Sequence, residues 1–315
     1  MRMYRKFEQW CMVLIDRLLC FFSLRDYMKK RIVIAFVFLF ISLFGMYIML
    51  GLIRGDTVFR WTQTVASWFR SAKVTVCEAD YTVLTWDEVK SREDISFDDS
   101  LSLINHTYHI SDGVTVMLEY VGDTAMSHTI FEAYQALSAS VQDKYEKKLC
   151  IRSGYRTAEE QQSIVQSYPA DIAAPVGASE HQTGLALDVY IEGSVGGKIN
   201  RCQAGRYVSS KGYEYGFIVR YPYGKKDVTG ITYEPWHIRY VGKPHAEIIY
   251  MNSLTFEEYI TSFYQTGVFY EYNGYLISRQ EKSDRLMIPN GCESILISDD
   301  NTGHYFITAK KAGNG

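Results

Sequence analysis

Ser179-Glu180-His181-Gln182-Thr183-Gly184-Leu185-Ala186-Leu187-Asp188 is the stretch that decides how this chain is read, together with Glu234-Pro235-Trp236-His237 further on. Between them they hold two histidines, an aspartate and two glutamates, and His181, His237, Asp188 and Glu234 have the spacing that matters. A catalytic zinc site needs such a set. Three protein ligands hold the metal and leave a fourth position for water, while a nearby carboxylate takes that water's proton. Taken singly, each residue has an ordinary explanation. A lone histidine is more often a hydrogen-bonded polar group than a ligand, and an aspartate ending an apolar run is usually a turn or a cap. The spacing argues otherwise.

His181 and Asp188 lie seven apart, with Gly184 between them and Leu185, Ala186 and Leu187 leading into Asp188. That pattern predicts a loop delivering His181, then a buried strand delivering Asp188. Pro235 biases Glu234 towards extended backbone and makes a central helix position unfavourable. The His-Glu-x-x-His helix of common zinc peptidases is absent. A strand or strand-like turn is expected to bring Glu234 and His237 to one cleft.

Ser-x-His-x-x-Gly-x-Ala-x-Asp and the run Glu234 to Gly242 resemble the zinc D-alanyl-D-alanine carboxypeptidases of the VanY type. That peptidase group also contains the VanX and VanXY dipeptidases and L,D-carboxypeptidases. Ser153-Gly154-Tyr155-Arg156 with Gln161, the run Tyr215 to Pro222, and Leu103-Ile104-Asn105 carry the same resemblance, which covers about residues 100 to 250. It implies an α+β, zinc DD-peptidase/hedgehog-like catalytic domain. It further implies one Zn²⁺ per chain on His181, Asp188 and His237, with Glu234 as general base and Arg156 polarising the scissile carbonyl. Ser179, Gln161 and Ser153 lie beside these residues in the motifs and are candidates for binding substrate.

The chemistry of the residues agrees with those roles. Two neutral imidazoles and one carboxylate leave a zinc site with net charge near plus one, which lowers the pKa of bound water towards ~7. Glu234 then accepts the proton and passes it to the leaving amine. A fixed, always charged guanidinium suits the developing oxyanion. Read alone, Arg156 is more simply a surface salt-bridge partner; the motif reverses that preference.

With 315 residues there is room for one or two domains plus appendages. A net charge of −3 gives no nucleic-acid footprint. The 25 tyrosines are assigned to packing. Ile32 to Ile53 is uncharged, about 33 Å as a helix, and is expected as an uncleaved transmembrane anchor. Lys29, Lys30 and Arg31 before it put the N-terminus in the cytoplasm and the rest outside the bacterial cytoplasmic membrane. Residues 1–31 are then a cytoplasmic amphipathic segment. Asp16 and Arg17 interrupt its apolar stretch Phe7 to Leu24, so a helix lying in the interface is expected, with a soluble partner-binding helix as the alternative. Residues 54–100 read as an extracytoplasmic stem, 101–252 as the zinc carboxypeptidase domain and 253–315 as a small β appendage.

Within the core, Ile130, Phe131, Gln135, Leu137, Val141 and Tyr145 predict a helix ending near Leu149. A short strand at 150–152 should deliver Ser153 to Arg156. Thr157-Ala158-Glu159-Glu160 is a capping box opening a helix towards Tyr168. Pro169 to Gly177 reads as a loop, and Gly196, Gly197, Ser209, Ser210 and Gly212 as a long connection before a strand at Phe217 to Arg220. It lacks the Trp-Leu segment common in relatives. Further on, a helix is expected from Leu254 to Tyr264, and strands at Val268–Tyr272, Tyr275–Ser278 and Tyr305–Ala309, with Asn273-Gly274 as a hairpin turn.

Cys11 and Cys20 fall on the cytoplasmic side, reduced or acylated. Cys77, Cys150, Cys202 and Cys292 face the oxidising side, as disulfides or as buried thiols, and none forms a Cys-x-x-Cys pair. His106, His109, His128, His245 and His304 are read as ordinary polar residues.

Two classes of function remain. One is a carboxypeptidase acting on peptidoglycan stem peptides, either D,D on pentapeptides or L,D on tetrapeptides, the D,D case implying a contribution to glycopeptide resistance. The other is a non-catalytic, hedgehog-like wall-binding module. Loss of the base would mark the second, and Glu234 is present.

Overall fold

The computed structural model describes residues 27–53, 55–111, 115–167 and 174–312. They form two compact units, Met1–Val58 and Phe59–Gly315. In the first, Tyr27–Ile53 is helical. Among the described residues no helix is long and apolar enough to cross a membrane; side chains of the expected anchor are described at 32–47 and 49. The segment Phe7 to Leu24, with Cys11 and Cys20, lies outside the described residues.

The second unit contains fourteen strands among its described residues. They are β1 (Thr75–Val76), β2 (Tyr81–Thr85), β3 (Ile95–Asp98), β4 (Leu118–Val121), β5 (Thr124–Ser127), β6 (Leu149–Ser153) and β7 (Ala186–Ile191). After these come β8 (Phe217–Tyr221), β9 (Glu234–Tyr240), β10 (Phe269–Tyr272), β11 (Tyr275–Glu281), β12 (Arg285–Pro289), β13 (Cys292–Asp299) and β14 (His304–Lys311).

The sheet that matters for chemistry has the order β6-β7-β9-β8, every neighbour antiparallel. Side chains alternate across it with period two. Leu187, Val189 and Ile191 of β7 and Ile238 of β9 join one buried cluster with Ile130, Tyr134, Leu137 and Val141 of the helix His128–Tyr145. Each such side chain, fully buried, contributes roughly 1.5–3 kcal/mol. Asp188 and His237 alternate with those apolar residues and therefore stand on the opposite face. The helix ends at Tyr145 rather than near Leu149, because Glu146 adopts the left-handed conformation (φ 52°) and caps it. Leu149 instead opens β6.

The connection expected between Gly196 and Gly212 is largely helical. A 3-10 turn covers Gly196–Arg201 and an α-helix covers Gln203–Lys211, with Ala204, Tyr207 and Val208 buried against the same core. Ser209 and Ser210, which suggest a loop by composition, lie within that helix; Ser209 donates to Asn200 (2.8 Å) and Ser210 to the Arg206 carbonyl (2.7 Å).

The C-terminal part is larger than the small appendage read from 253–315. A six-stranded sheet runs β1-β10-β11-β14-β13-β3, and β12 pairs with β2. Both faces are covered. Ile277 and Phe306 pack with Phe256, Tyr259 and Ile260 of the helix Phe256–Ser262, and with Ile248 of the helix His245–Asn252. Leu276, Ile295, Ile297 and Ile307 pack with Leu286, Ile288 and Val89. The segment expected as a stem thus supplies β1, β2 and β3 to this layer: β3 runs parallel to β13, and β2 antiparallel to β12. Asn273 and Gly274 both have positive φ, as the hairpin between β10 and β11 requires. Cys77, Cys150, Cys202 and Cys292 are free thiols.

Candidate active site

Strand register brings the predicted residues together. Ser153 of β6 lies opposite Asp188 of β7, and Asp188 opposite His237 of β9, so the three form a row across the sheet. Glu234 needs a different explanation, because residues three apart in a regular strand point to opposite faces. Between β8 and β9, Val219 pairs with Ile238 and Tyr221 with Glu234, so β9 carries more residues than β8 over the same interval. This bulge turns Glu234 onto the site's face, where its Oε2 lies 3.7 Å from His237 Nδ1.

His181 arrives from a 3-10 turn, Glu180–Thr183, closed by Gly184 in the left-handed conformation (φ 68°). Its Nδ1 donates to the Gly154 carbonyl at 2.7 Å, which leaves the Nε2 lone pair to face Asp188 Oδ2 at 3.5 Å. Gly154 is confined by its surroundings, since a Cβ there would lie 2.1 Å from the Ala125 carbonyl oxygen. Arg156, just beyond, is tied to the same turn by its backbone N–H to the His181 carbonyl (3.1 Å).

His181, Asp188 and His237 each present a ligand atom, all within 4.8 Å of one another. The separations are 3.5 Å from His181 Nε2 to Asp188 Oδ2 and 3.2 Å from His237 Nδ1 to Asp188 Oδ1. A tetrahedron with arms of ~2.0–2.1 Å has edges of about 3.3 Å, so these atoms are spaced as zinc requires. Asp188 Oδ1 is buried with no hydrogen-bond partner among the described residues. A buried carboxylate oxygen left in this way suits a cation.

The electrostatics divide the carboxylates. Burial opposes ionisation of Asp188, yet His181 and His237 outweigh it and hold Asp188 well below the carboxylate range. Burial pushes Glu234 up, with Asp188 adding to the effect and His237 and Arg156 opposing it. Burial also lowers His181, whereas His237 is raised to about 9 because the neighbouring carboxylates of Asp188 and Glu180 outweigh burial. One carboxylate is set to remain anionic while the other is poised to exchange a proton.

Arg156 Nη2 lies 3.4 Å from Asp188 Oδ2, its Nε donates to Ser153 Oγ (3.1 Å), and its Nη1 to Gln161 Oε1 (3.1 Å). Gln161 in turn donates to the Ala174 carbonyl at 2.7 Å. Ser153 and Gln161 therefore hold the guanidinium rather than presenting free polar groups. Ser179 is buried and lines the cleft. The capping box forms as expected, with Thr157 N–H donating to Glu160 Oε2 (2.9 Å) and Glu160 N–H to Thr157 Oγ1 (3.2 Å). The three candidate ligands, Glu234, Arg156, Ser153, Gln161 and Ser179 border a cleft of about 400 Å³, which Tyr190, Tyr221 and Trp236 also line.

Sequence reasoning passed over Glu180, Tyr221 and Arg220. Glu180 lies behind His237, with Oε2 at 3.6 Å from His237 Nε2. Tyr221 packs against His237 with ring centroids 4.9 Å apart and planes tilted by 56°, and burial pushes its hydroxyl up, so it stays a neutral donor. The available signal was an arginine within the apolar strand β8 and a glutamate immediately before His181.

Residues 123–243 match the family model described as VanY: D-alanyl-D-alanine carboxypeptidase. A D-alanyl-D-alanine carboxypeptidase of Enterococcus faecium is 47% identical over 110 residues, 35% of this chain and 35% of the relative. Thus the chain spans about a third of that relative's length. The bifunctional D-Ala-D-Ala dipeptidase and D-Ala-D-Ala carboxypeptidase VanXYC of Enterococcus gallinarum is 38% identical over 127 residues, 36% of this chain and 67% of the relative. Among solved structures, the vancomycin resistance D,D-dipeptidase VanXYg in complex with a D-Ala-D-Ala phosphinate analogue shares the fold. Its TM-score is 0.57 at 24% identity, covering 75% of this chain and 100% of that one. The likeness to VanXYC reaches over two thirds of that enzyme, far beyond the metal-ligand motif, and the chain belongs to the VanY family.

Proposed function

We propose that the protein is a zinc D,D-carboxypeptidase that removes the C-terminal D-Ala from peptidoglycan stem pentapeptides. The observation that carries this reading is the convergence of His181, Asp188 and His237 on one point, with Glu234 and Arg156 lining the same cleft. His181 would hold one Zn²⁺ per chain through Nε2, His237 through Nδ1, and Asp188 through its carboxylate. Zinc bound there supplies a Lewis acid that acidifies water and polarises a carbonyl. Glu234, raised by burial, accepts the proton of the attacking water and returns it to the departing amine. Arg156, fixed by Ser153 and Gln161, donates to the oxyanion that forms as the amide is attacked. Ser179 contributes to binding the stem peptide from the floor of the cleft.

Family membership and the names of the curated relatives support the D,D preference. Such trimming removes the D-Ala-D-Ala terminus that glycopeptide antibiotics recognise, so the same activity contributes to glycopeptide resistance. The run Ile32 to Ile53 and the cluster Lys29-Lys30-Arg31 support a membrane anchor with the N-terminus inside and the catalytic unit facing the wall. Protease added to intact spheroplasts should then digest the catalytic unit; its full protection would refute that placement.

The deciding assay offers matched peptides ending in D-Ala-D-Ala, in L-Lys-D-Ala and in amidated D-Ala-D-Ala. Release of D-Ala from the first alone is expected. Release only from the second makes the enzyme an L,D-carboxypeptidase, and release from none returns the wall-binding module.

A further inference from the structure

Behind His237 lies a chain of buried charges that crosses from the catalytic sheet to the C-terminal part. Glu180 is 1% exposed. Its Oε1 accepts from Arg220 Nε at 2.7 Å and lies 3.0 Å from Arg239 Nη1. Arg220, fully buried on β8, continues to Glu257 with Nη1 to Oε2 at 2.9 Å and Nη2 to Oε1 at 2.5 Å. Glu257 belongs to the helix Phe256–Ser262 and also accepts from Asn105 Nδ2 at 3.4 Å. Arg239 is anchored separately, on the carbonyls of Ser100 (3.1 Å) and Ser102 (3.0 Å).

One oxygen of Glu180 is left over. Oε2 faces His237 Nε2 at 3.6 Å, and neither atom has a hydrogen-bond partner among the described residues. Two buried polar atoms without other partners, aimed at each other, form a pair completed by a small movement. An imidazole whose Nε2–H points at a carboxylate must present its Nδ1 lone pair on the other side, where Asp188 stands at 3.2 Å. A carboxylate behind a ligating histidine fixes ring orientation and raises ligand basicity.

We propose that Glu180 is a positioning residue that fixes His237 for metal binding, and that Glu257 holds Glu180 in place through Arg220. The C-terminal helix Phe256–Ser262 is then part of the metal site's support. This inference rests on the zinc reading above, and the test separates the two. Zinc affinity is measured on the full chain by competition with a chromophoric chelator, alongside unfolding of each metal-free protein. Glu180→Gln should bind zinc ~10–100-fold more weakly than wild type while remaining folded. Glu257→Gln should shift affinity several-fold in the same direction. Saturating zinc should restore turnover in Glu180→Gln but not in Glu234→Gln, a separation that a general loss of stability does not produce. Wild-type affinity in a folded Glu180→Gln overturns the proposal. Should that variant fail to fold, wild-type affinity in both Glu257→Gln and Arg220→Lys overturns it. A wild-type chain that takes up no zinc overturns the zinc reading and this inference together.

Discussion

Glu234 and Asp188 are chemically alike, and their surroundings separate them: Asp188 is held anionic by two imidazoles, while Glu234 is pushed up by burial. Glu234→Gln preserves shape and removes the proton acceptor. Metal analysis should find zinc unchanged while turnover falls by ~10²–10⁴. Hydrolysis at the parent rate would end the general-base assignment. Gly154 is a second residue whose identity is set by its neighbours, since a methyl group there meets the Ala125 carbonyl. Gly154→Ala should lower stability by about 1–3 kcal/mol in urea unfolding and weaken zinc binding, because the Gly154 carbonyl orients His181. Unchanged zinc affinity would show that the His181 ring does not need that bond.

Among the elements, β7 does the most positioning, with one face in the core and the other carrying Asp188. Leu187 is fully buried, so Leu187→Ala should cost about 2–5 kcal/mol. A loss below 1 kcal/mol, measured by urea unfolding, would mean that the core closes around the gap. This strand was legible in the sequence because Leu185, Ala186 and Leu187 run straight into Asp188. Several other features were not. The spacing of Glu234 and His237 makes sense only with the β9 bulge, which depends on how β8 pairs with it. The helix Gln203–Lys211 was masked by serines and glycines whose side chains serve the helix and its neighbours. Glu180 looked like any polar residue of a loop, because its partners Arg220 and Glu257 lie 40 and 37 residues further along in successive steps.

At the level of the whole molecule, β1, β2 and β3 had no readable role because their partners lie near the other end of the chain. A fragment spanning 101–315 loses all three and exposes β13 and β10 as unpaired edges, whereas 59–315 keeps them. The shorter fragment should unfold at lower temperature and associate on size-exclusion chromatography; equal behaviour would show that these strands are dispensable. His245 ties the two layers together, with Nδ1 2.6 Å from the Tyr259 hydroxyl and Nε2 2.9 Å from Thr308 Oγ1. Burial pushes it down to about 3. Below ~6.5 the unfolded chain takes up a proton that the folded chain refuses, so stability is fully present above that pH and declines as pH falls, by up to about 1.4 kcal/mol per unit. The stability gap between wild type and His245→Gln should therefore narrow between pH 6.5 and 4.5. A constant gap would remove His245 from the acid response.

The pairing of β3 with β13 and of β2 with β12 also sets a timetable. A ribosome adding ~5–20 residues per second completes 75–98 about 10–40 s before their partners exist. Throughout that interval the early strands have no neighbours to bond with. Glu257, which holds Arg220, also emerges after the whole catalytic sheet. A nascent chain that stalls before β12 thus carries every residue of the candidate active site without the finished layer beneath it. Synthesis of β12 and β13 becomes the event that closes this layer.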